Sequence, residues 1–406
     1  MKRLFQILGG LIGVCLIGVA GVYLVADRDM RALMRSPPAD TDLLFWSDAT
    51  RQAAFRVLDR LPFLAETNVI QAGGSASPLP LGDPLTDGVD IGAYMASQRA
   101  AALIIVQGGA VRFEEYGLDF DSDGRWTSFS VAKSVTSTLV GAAVEDGFID
   151  SLDDKVSTYI DGLRGSVYDD VSIRQLLTMT SGVAWTEDYG DPESDVAKFN
   201  NHRAAPGEDA TVSYLKTLTR AAPAGERWHY STGETNLIGV LVSAATGKTV
   251  SEYLSEKIWS KAGMQQDATW LLGSTGHEIS GCCIQAATRD FARFGLFIMN
   301  GAQIAGEPVM PPEFLAEATS LQATFPDGDG YGYQWWINAD GSFAAQGIFG
   351  QGIFIDPARD LVIAQNANWP AAAPEAQRLE REAFYDAIQA AIDAERGPSE
   401  QALLTP

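Results

Sequence analysis

Apolar and polar positions along the chain predict strands near both ends and helices between them. Residues 101–107 and 110–116 are strand-like runs that flank Gly108 and Gly109, a pair that tolerates the positive φ angles of a two-residue hairpin turn. A second group of strand-like runs lies far along the chain, separated by two turn-forming dipeptides. This second group comprises residues 331–338, 342–355 and 361–367.

Between the two groups of strands, apolar residues recur at helical spacing. The predicted helices cover residues 131–145, 172–179, 235–245, 287–299 and, near the end of the chain, 374–395. This order predicts an α+β fold in which one antiparallel sheet is built from both chain ends, is flanked by helices and carries a mostly helical inserted region.

The first residues carry a predicted membrane anchor. Residues 5–26 contain no charged side chain and, as a helix, would span roughly 33 Å, which matches the hydrocarbon core of a bilayer. Lys2 and Arg3 precede the run and no net positive charge follows it, which favours a single-pass inner-membrane protein with its main domain on the periplasmic side. The alternative is a cleaved signal peptide, but the run is long and no small-x-small site closes it.

These predictions together divide the chain into five segments. Residues 1–4 form a cytoplasmic n-region and residues 5–26 the anchor, followed by a stalk and lead-in over 27–85. A single folded domain is predicted over 86–396, with a tail over 397–406.

Composition excludes several classes of function. The chain has 406 residues, and 52 acidic against 29 basic side chains give a net charge of −23, which opposes binding to nucleic acid. Three histidines and three cysteines occur without paired ligand spacing, so we expect no metal and no cofactor. Cys282 and Cys283 are adjacent, where a bridge would be strained, so no disulfide framework can be derived. The oligomeric state stays open.

Ser130 and Lys133 are the first candidate catalytic pair. They form an S-x-x-K pattern at the start of the predicted helix 131–145. A helix places residues i and i+3 on one face, so the Lys133 amine can reach the Ser130 hydroxyl, and the positive helix end favours a neutral amine and a developing alkoxide. A lysine partly removed from water can activate a serine nucleophile, although the tetrapeptide alone also fits an ordinary helix start.

The surrounding sequence resembles the serine hydrolases of the β-lactamase and penicillin-binding superfamily. Beyond Ser130 and Lys133, the resemblance rests on Trp228-His229-Tyr230-Ser231-Thr232 before an apolar helix. In the branch with class C β-lactamases and esterases, a tyrosine at this position stands beside the nucleophile. The resemblance implies that Tyr230 is a general acid and base, as a phenolate held by Lys133. The alternative is a tyrosine that packs at a helix start.

The strand at residues 347–355 (GIFGQGIFI) matches the superfamily strand that borders the active site. The resemblance implies that a backbone N–H of this strand completes an oxyanion hole with the N–H of Ser130. Ile348 is the predicted second donor, with Phe349 and Gly350 as rivals. Phe349, Gly350 and Gln351 are also predicted to contact substrate.

Within the superfamily, the chain resembles most the 6-aminohexanoate-dimer hydrolases and their esterase-like relatives, over about residues 101–370. The stretches that carry this resemblance are GSVYD at 165–169, EDYGDPESD at 187–195, YQWW at 333–336 and the GIFGQ strand. It implies that Tyr189 helps to bind the substrate, whereas the alternative for Tyr189 is a loop aromatic packed for stability. Acidic side chains of 187–195 could attract an amine-bearing substrate, although a solvated acidic surface explains them equally well.

The chain also departs from the superfamily pattern. Thr232 stands where relatives carry the asparagine of Y-x-N, and no Lys-Thr-Gly occurs on the 347–355 strand. That lysine is expected to hold the carboxylate of a β-lactam, so we expect hydrolysis of small amides or carboxylic esters through an acyl-Ser130 intermediate. The alternatives are a catalytically silent module that binds peptidoglycan fragments or a protein partner, and a weak β-lactamase.

Overall fold

The computed structural model describes residues 21, 23–37, 42–61, 66–85 and 88–401. Its helices are α1 (Arg28–Arg35), α2 (Asp48–Val57), α3 (Ile91–Ser97), α4 (Val131–Glu145), α5 (Val156–Tyr159), α6 (Ile173–Leu177), α7 (Asp195–Asn201), α8 (Ala210–Leu215), α9 (Thr232–Thr246), α10 (Val250–Leu254), α11 (Thr288–Met299), α12 (Pro312–Ala318) and α13 (Glu375–Gln401). Its strands are β1 (Thr67–Ile70), β2 (Ala100–Gln107), β3 (Ala110–Tyr116), β4 (Trp126–Thr127), β5 (Ala268–Leu271), β6 (Ile284–Ala286), β7 (Gln303–Ile304), β8 (Glu307–Pro308), β9 (Ala323–Thr324), β10 (Gly330–Tyr331), β11 (Trp336–Ile337), β12 (Phe343–Gly347), β13 (Gln351–Asp356) and β14 (Leu361–Ala367).

The main sheet has eight antiparallel strands in the order β3-β2-β14-β13-β12-β11-β10-β9. The β2–β3 hairpin therefore joins strands that lie more than 200 residues later, and Ile104 of β2 pairs with Ala364 of β14. All residues of β14 are buried, as expected of a central strand covered on both faces. The prediction of an α+β fold with one antiparallel sheet built from both chain ends is confirmed.

Two predicted strands are each divided in two. Residues 342–355 form β12 and β13, which pair as a hairpin with Gly347 opposite Gln351. A 3-10 turn over Ile348–Gly350 reverses the chain there, and Phe349 and Gly350 have φ angles of 60° and 89° that no strand residue adopts. Residues 331–338 likewise break into β10 and β11, with a φ angle of 64° at Gln334 between them.

A second sheet was not predicted from the pattern of apolar positions. It has four strands in the order β1-β5-β6-β4 and continues directly into the turn that leads to α4. Its strands are only two to four residues long, too short for a period of two to be recognised. This sheet fixes the start of α4, the helix on which the predicted nucleophile lies.

Helices α4 and α9 lie at the centre of the largest apolar cluster. Thirteen of the fifteen residues of α4 are buried, including the polar Thr136 and Ser137. A helix buried on nearly all sides cannot shift its register without opening the core. The first turn of α4 is therefore rigidly placed.

Part of the predicted stalk belongs to the folded body. Phe55 on α2 is fully buried, and its ring centroid lies 5.0 Å from that of Phe129 and 5.7 Å from that of Trp126. Strand β1 pairs with β5 across Asn68 and Trp270. The interpretation of residues 27–85 as a stalk and lead-in is corrected accordingly, because α2 and β1 supply core side chains and a sheet edge.

Two further expectations concern the N-terminus and the cysteines. The predicted n-region, residues 1–4, and residues 5–20 and 22 of the predicted anchor lie outside the described residues, and none of the helices described is both long and apolar enough to cross a bilayer. Cys282 and Cys283 form a disulfide, although no disulfide framework could be derived from the sequence. Because it joins chain neighbours, it closes no loop and adds little to stability through chain entropy.

Candidate active site

Ser130 lies at the start of α4, at the end of the turn that leaves β4. It is the residue that caps the helix, but its hydroxyl makes no capping hydrogen bond, and the residue is 8% exposed. The preceding Phe129 has a φ angle of 42°, a conformation that costs about 1–3 kcal/mol and persists only where the surroundings enforce it. Here the enforcing contacts are the rings of Phe55 and Phe349, whose centroids lie 5.0 and 5.6 Å from that of Phe129.

Lys133 is buried one helical turn after Ser130, with an exposed fraction of 1%. Its Nζ donates hydrogen bonds of 2.9 Å to the Thr232 Oγ1 and to the carbonyl oxygen of Gly281. Burial lowers the pKa of Lys133 to about 8, although the nearby Glu187 carboxylate acts in the opposite direction. The neutral amine that a general base requires is therefore accessible close to neutral pH.

Tyr230 stands beside both residues, as the resemblance implied. It lines the same cavity as Ser130, and the Lys133 Nζ lies 5.2 Å from its ring centroid. Burial raises the pKa of Tyr230, the Glu187 carboxylate raises it further, and the Ser130 hydroxyl offsets this only in part. These surroundings favour a neutral phenol over the phenolate that the resemblance implied.

Glu187 links the loop that carries Tyr189 to the start of α9. Its carboxylate accepts hydrogen bonds from the Thr232 N–H at 3.0 Å, from the Thr232 hydroxyl, from the Tyr189 hydroxyl at 2.7 Å and from the Trp185 indole N–H. Thr232 thus accepts from Lys133 and donates to Glu187. Thr232, which departs from the Y-x-N pattern, therefore connects the Lys133 amine to the Glu187 carboxylate.

The end of β12 lies against the backbone of Ser130. A side chain at Gly347 would place its Cβ 2.6 Å from the Ser128 carbonyl oxygen and 3.1 Å from the Ser130 nitrogen, so only glycine allows this approach. Ile348 follows and lines the same cavity as Ser130. The Phe349 N–H instead donates to the Ala372 carbonyl at 2.8 Å, which removes it as a rival donor for an oxyanion.

Ser130, Tyr230, Tyr189 and Ile348 line one cavity of about 340 Å³. Its other aromatic walls are Trp336, whose ring lies 5.8 Å from that of Tyr230, together with Phe325 and Trp369. Its charged lining residues are Glu187, Asp327, Asp329, Arg378, Arg381 and Glu382.

Three predicted substrate contacts are not at this cavity. Phe349 is fully buried, with the guanidinium carbon of Arg51 4.5 Å from its ring centroid. Gly350 packs against Trp369, and the Gln351 side chain is consumed by hydrogen bonds to the carbonyls of Ile348 and Ala367. These three residues are corrected from substrate contacts to supports of the strand, because the 3-10 turn points them into the core.

Arg378 and Arg381 are cavity residues that the sequence analysis missed. They lie on α13, and Arg381 precedes the buried Phe384 and Tyr385 by three and four positions. A charged residue in line with the apolar face of a helix was therefore the signal that could have identified Arg381. Among the described residues, no group of three or more His, Cys, Asp or Glu side chains is arranged to hold a metal ion.

Comparison with known proteins identifies a matching family, a protein of similar sequence and solved structures of similar fold. The β-lactamase family profile matches residues 90–387. A 6-aminohexanoate-dimer hydrolase of Paenarthrobacter ureafaciens is 31% identical over 288 residues, which cover 66% of this chain and 72% of that relative.

Two solved structures share the fold. A putative 6-aminohexanoate-dimer hydrolase from Bacillus anthracis has a TM-score of 0.75 at 22% identity and covers 87% of this chain and 96% of its own. A family VIII carboxylesterase has a TM-score of 0.55 at 16% identity and covers 74% of this chain and 96% of its own.

Proposed function

Because the chain belongs to the β-lactamase family and is a hydrolase related to 6-aminohexanoate-dimer hydrolase, we propose that it cleaves small amides or carboxylic esters through an acyl-Ser130 intermediate. The observation that carries this proposal is the buried Lys133, whose pKa of about 8 suits a base and whose Nζ lies 5.2 Å from the ring of Tyr230, a residue that lines the same cavity as Ser130. A buried lysine whose pKa is lowered beside a cavity is the kind of group that acts as a base in active sites.

In the proposed acylation step, the Ser130 Oγ attacks the substrate carbonyl carbon while its proton passes towards the neutral Lys133 amine by way of the Tyr230 phenol. The carbonyl oxygen becomes an oxyanion that accepts hydrogen bonds from the N–H groups of Ser130 and Ile348. The positive end of the buried helix α4 adds to this stabilisation.

Collapse of the tetrahedral intermediate breaks the bond to the leaving group, which takes a proton from Tyr230, and Lys133 restores that proton. Water then attacks the acyl-Ser130 ester by the reverse proton path and releases the acid. Amide substrates require this protonation most, since an amine leaves poorly without it. Tyr230 lines the same cavity as Ser130 and packs against Trp336, which supports this role.

The test is to capture the covalent intermediate. A fluorophosphonate probe or an aryl ester should add one acyl or phosphonyl group to Ser130 in the wild type, as located by peptide mass spectrometry. The Ser130→Ala variant should remain unlabelled. Labelling at another residue, or hydrolysis near the wild-type rate by the variant, would exclude the proposal.

A further inference from the structure

The Cys282–Cys283 disulfide lies in the segment that connects β5 to β6, beside the candidate base. The carbonyl oxygen of Gly281, the residue before the disulfide, accepts a hydrogen bond from the Lys133 Nζ at 2.9 Å. A Cβ at Gly281 would lie 2.9 Å from the same Nζ, so the backbone itself is packed against the amine. The disulfide therefore adjoins one of the two acceptors that hold the Lys133 amine in place.

The residue after the disulfide contacts the turn that carries the nucleophile. The Ile284 N–H donates to the Ser128 hydroxyl at 2.9 Å, and the Ser128 N–H donates to the Ile284 carbonyl at 2.8 Å. Ser128 lies two positions before Ser130. The disulfide thus lies between a contact with the base and a contact with the turn that presents the nucleophile.

The backbone of Cys283 has a conformation that needs support from its surroundings. Its φ angle is 75°, in the left-handed region that residues with a Cβ rarely adopt. The disulfide closes a small ring through the peptide bond between Cys282 and Cys283, and this ring leaves few backbone conformations open to either residue. Once the S–S bond is broken, Cys283 is free to return to a negative φ angle, and the backbone on either side turns with it.

The bond contributes little to the stability of the fold. Constraint of the unfolded chain is the main way in which a disulfide stabilises a protein, and a bond between chain neighbours closes no loop. Cys283 is 8% exposed, whereas Cys282 is half-buried and is the more accessible of the two to a thiol reagent. A bond that acts only locally, beside the base and within reach of exchange, is suited to control of the site.

We propose that the Cys282–Cys283 disulfide is a redox-sensitive positioning element of the candidate active site. This inference rests on the proposed function and names its regulation. The disulfide form holds the Gly281 carbonyl against the Lys133 amine, and the dithiol form releases that carbonyl and acylates slowly. The role is one of positioning, because neither cysteine lines the cavity of Ser130.

The switching reaction is thiol–disulfide exchange with a dithiol reductant. A thiolate of the reductant attacks one cysteine sulfur, the S–S bond breaks, and the other cysteine leaves as a thiolate that takes up a proton. The second thiolate of the reductant attacks the mixed disulfide and releases the first cysteine, which is protonated in turn. The reductant becomes a cyclic disulfide, two electrons pass to the protein, and a disulfide oxidant reverses the sequence.

The first test assays the full chain in both redox states. Dithiothreitol reduces the protein under native conditions and is removed under nitrogen, and alkylation followed by peptide mass spectrometry verifies free thiols at Cys282 and Cys283. We expect kcat/KM for p-nitrophenyl butyrate to fall by roughly tenfold or more on reduction, because a misplaced base costs rate steeply, and to return on oxidation with diamide. Equal rates of the two forms would overturn the inference.

The pH profile distinguishes loss of the carbonyl from a general loosening of the site. An ammonium binds a carbonyl more strongly than a neutral amine does, so withdrawal of the Gly281 carbonyl should lower the pKa of Lys133 and move the acid limb of kcat/KM to lower pH. Entry of water around Lys133 would instead relieve its desolvation and move the limb upward. A slower reduced form whose limb stays in place or moves upward would contradict the positioning role.

Two double variants separate the sulfur atoms from the backbone conformation. Cys282→Ser with Cys283→Ser cannot form the bond and should match the reduced wild type, with no response to dithiothreitol. Cys282→Ser with Cys283→Gly also lacks the bond, but glycine adopts a positive φ angle freely, so this variant should be roughly threefold or more faster than the serine pair. Equal losses in the two variants would rule out the backbone of Cys283 as the link. Cys15→Ser is the control: it removes the remaining cysteine, which lies outside the described residues, and should respond to dithiothreitol as the wild type does.

Measurements without substrate separate this inference from the proposed function. Amide hydrogen exchange in residues 126–133 and 279–286 should be faster in the reduced form, while the thermal unfolding midpoint should stay within about 4 °C because the bond closes no loop. Hydrolysis through Ser130 at the same rate in both forms would overturn the redox control alone. Faster exchange on reduction without hydrolysis by either form would leave the positioning role standing and overturn the proposed function.

Discussion

Replacement of Glu187 by glutamine should move the pH dependence of acylation to lower pH. Lys133 acts as a base only when neutral, so kcat/KM should rise with pH through an apparent pKa of about 8 and level off above it. The Glu187 carboxylate favours the protonated amine and holds this pKa up. Without that charge, burial alone acts on Lys133, and the amine should lose its proton more readily.

The size of the shift follows from the Lys133–Thr232–Glu187 chain of hydrogen bonds. The Lys133 Nζ lies 2.9 Å from the Thr232 Oγ1, which in turn donates to Glu187. The hydrogen bond from the Thr232 Oγ1 to Glu187 adds one further hydrogen-bond length, so the Lys133 ammonium and the Glu187 carboxylate are roughly 5 Å apart. At an effective dielectric constant of about 20–40, a full charge at this distance raises the pKa of Lys133 by roughly one to two pH units. The acid limb of Glu187→Gln should therefore lie near pH 6–7.

The assay is the pH profile of kcat/KM for a neutral aryl ester between pH 5 and 10. Each profile is normalised to its own plateau. Glu187→Gln can weaken the hydrogen bonds with Thr232 and so lower the plateau value of kcat/KM without moving the acid limb of the profile. Asp188→Asn is the matched control, since Asp188 is the exposed neighbour of Glu187 in the same loop and does not line the cavity. A limb of Glu187→Gln that stays at the wild-type position or moves upward would refute the electrostatic coupling.

Four further outcomes are expected. Lys133→Ala should lower acylation by several orders of magnitude in a single-turnover assay, because loss of the base costs nearly as much as loss of the nucleophile; a loss below about tenfold would mean that Lys133 is structural. Gly347→Ala should reduce kcat/KM by roughly 100-fold or more, because its Cβ would lie 2.6 Å from the Ser128 carbonyl and push the strand away from Ser130; a near-normal rate would argue against Ile348 as a donor. Phe55→Ala should destabilise the protein by about 3–5 kcal/mol in a denaturant titration, and an unchanged midpoint would contradict the burial of α2. The full chain should fractionate with membranes, whereas a chain that begins at Asp27 should be soluble and active; mature protein from cells that starts beyond Ala26 would show cleavage instead.

Local patterns in the sequence predicted the parts of the fold that depend on neighbours in the chain. The two glycines between β2 and β3 predicted the hairpin, and the spacing of Ser130 and Lys133 predicted that both lie on one face of α4. Tyr230 could be identified only through the family resemblance, because 97 residues separate it from Lys133 and no periodicity spans that distance. Turns that depend on single backbone conformations, such as that at Phe349, were missed because nothing in the apolar pattern distinguishes them from a continuous strand.

The environment of Lys133 shows why the rest of the site was not predictable. Its two hydrogen-bond partners are the Thr232 hydroxyl and the carbonyl of Gly281, which lie 99 and 148 positions away in the chain. A backbone carbonyl has no signature in the sequence, since every residue carries one. Arg381 is similar: its helix could be predicted, but only the packing of α13 against the end of β12 brings its side chain to the cavity.

Arg51, in a segment that precedes the family match at residues 90–387, contacts the residues that support the cavity wall. It lies on α2, and its guanidinium donates to the Trp369 carbonyl at 2.7 Å and to the Asn368 side chain at 2.8 Å. The same guanidinium covers the ring of Phe349, at 4.5 Å from the centroid. It therefore holds in place both Phe349, in the turn over Ile348–Gly350, and Trp369, the ring that packs against Arg381. Because Arg51 is 3% exposed, removal of its side chain would take a buried donor from the Trp369 carbonyl and the Asn368 side chain. We therefore expect the segment that carries α2 to support the turn between β12 and β13 as well as the core.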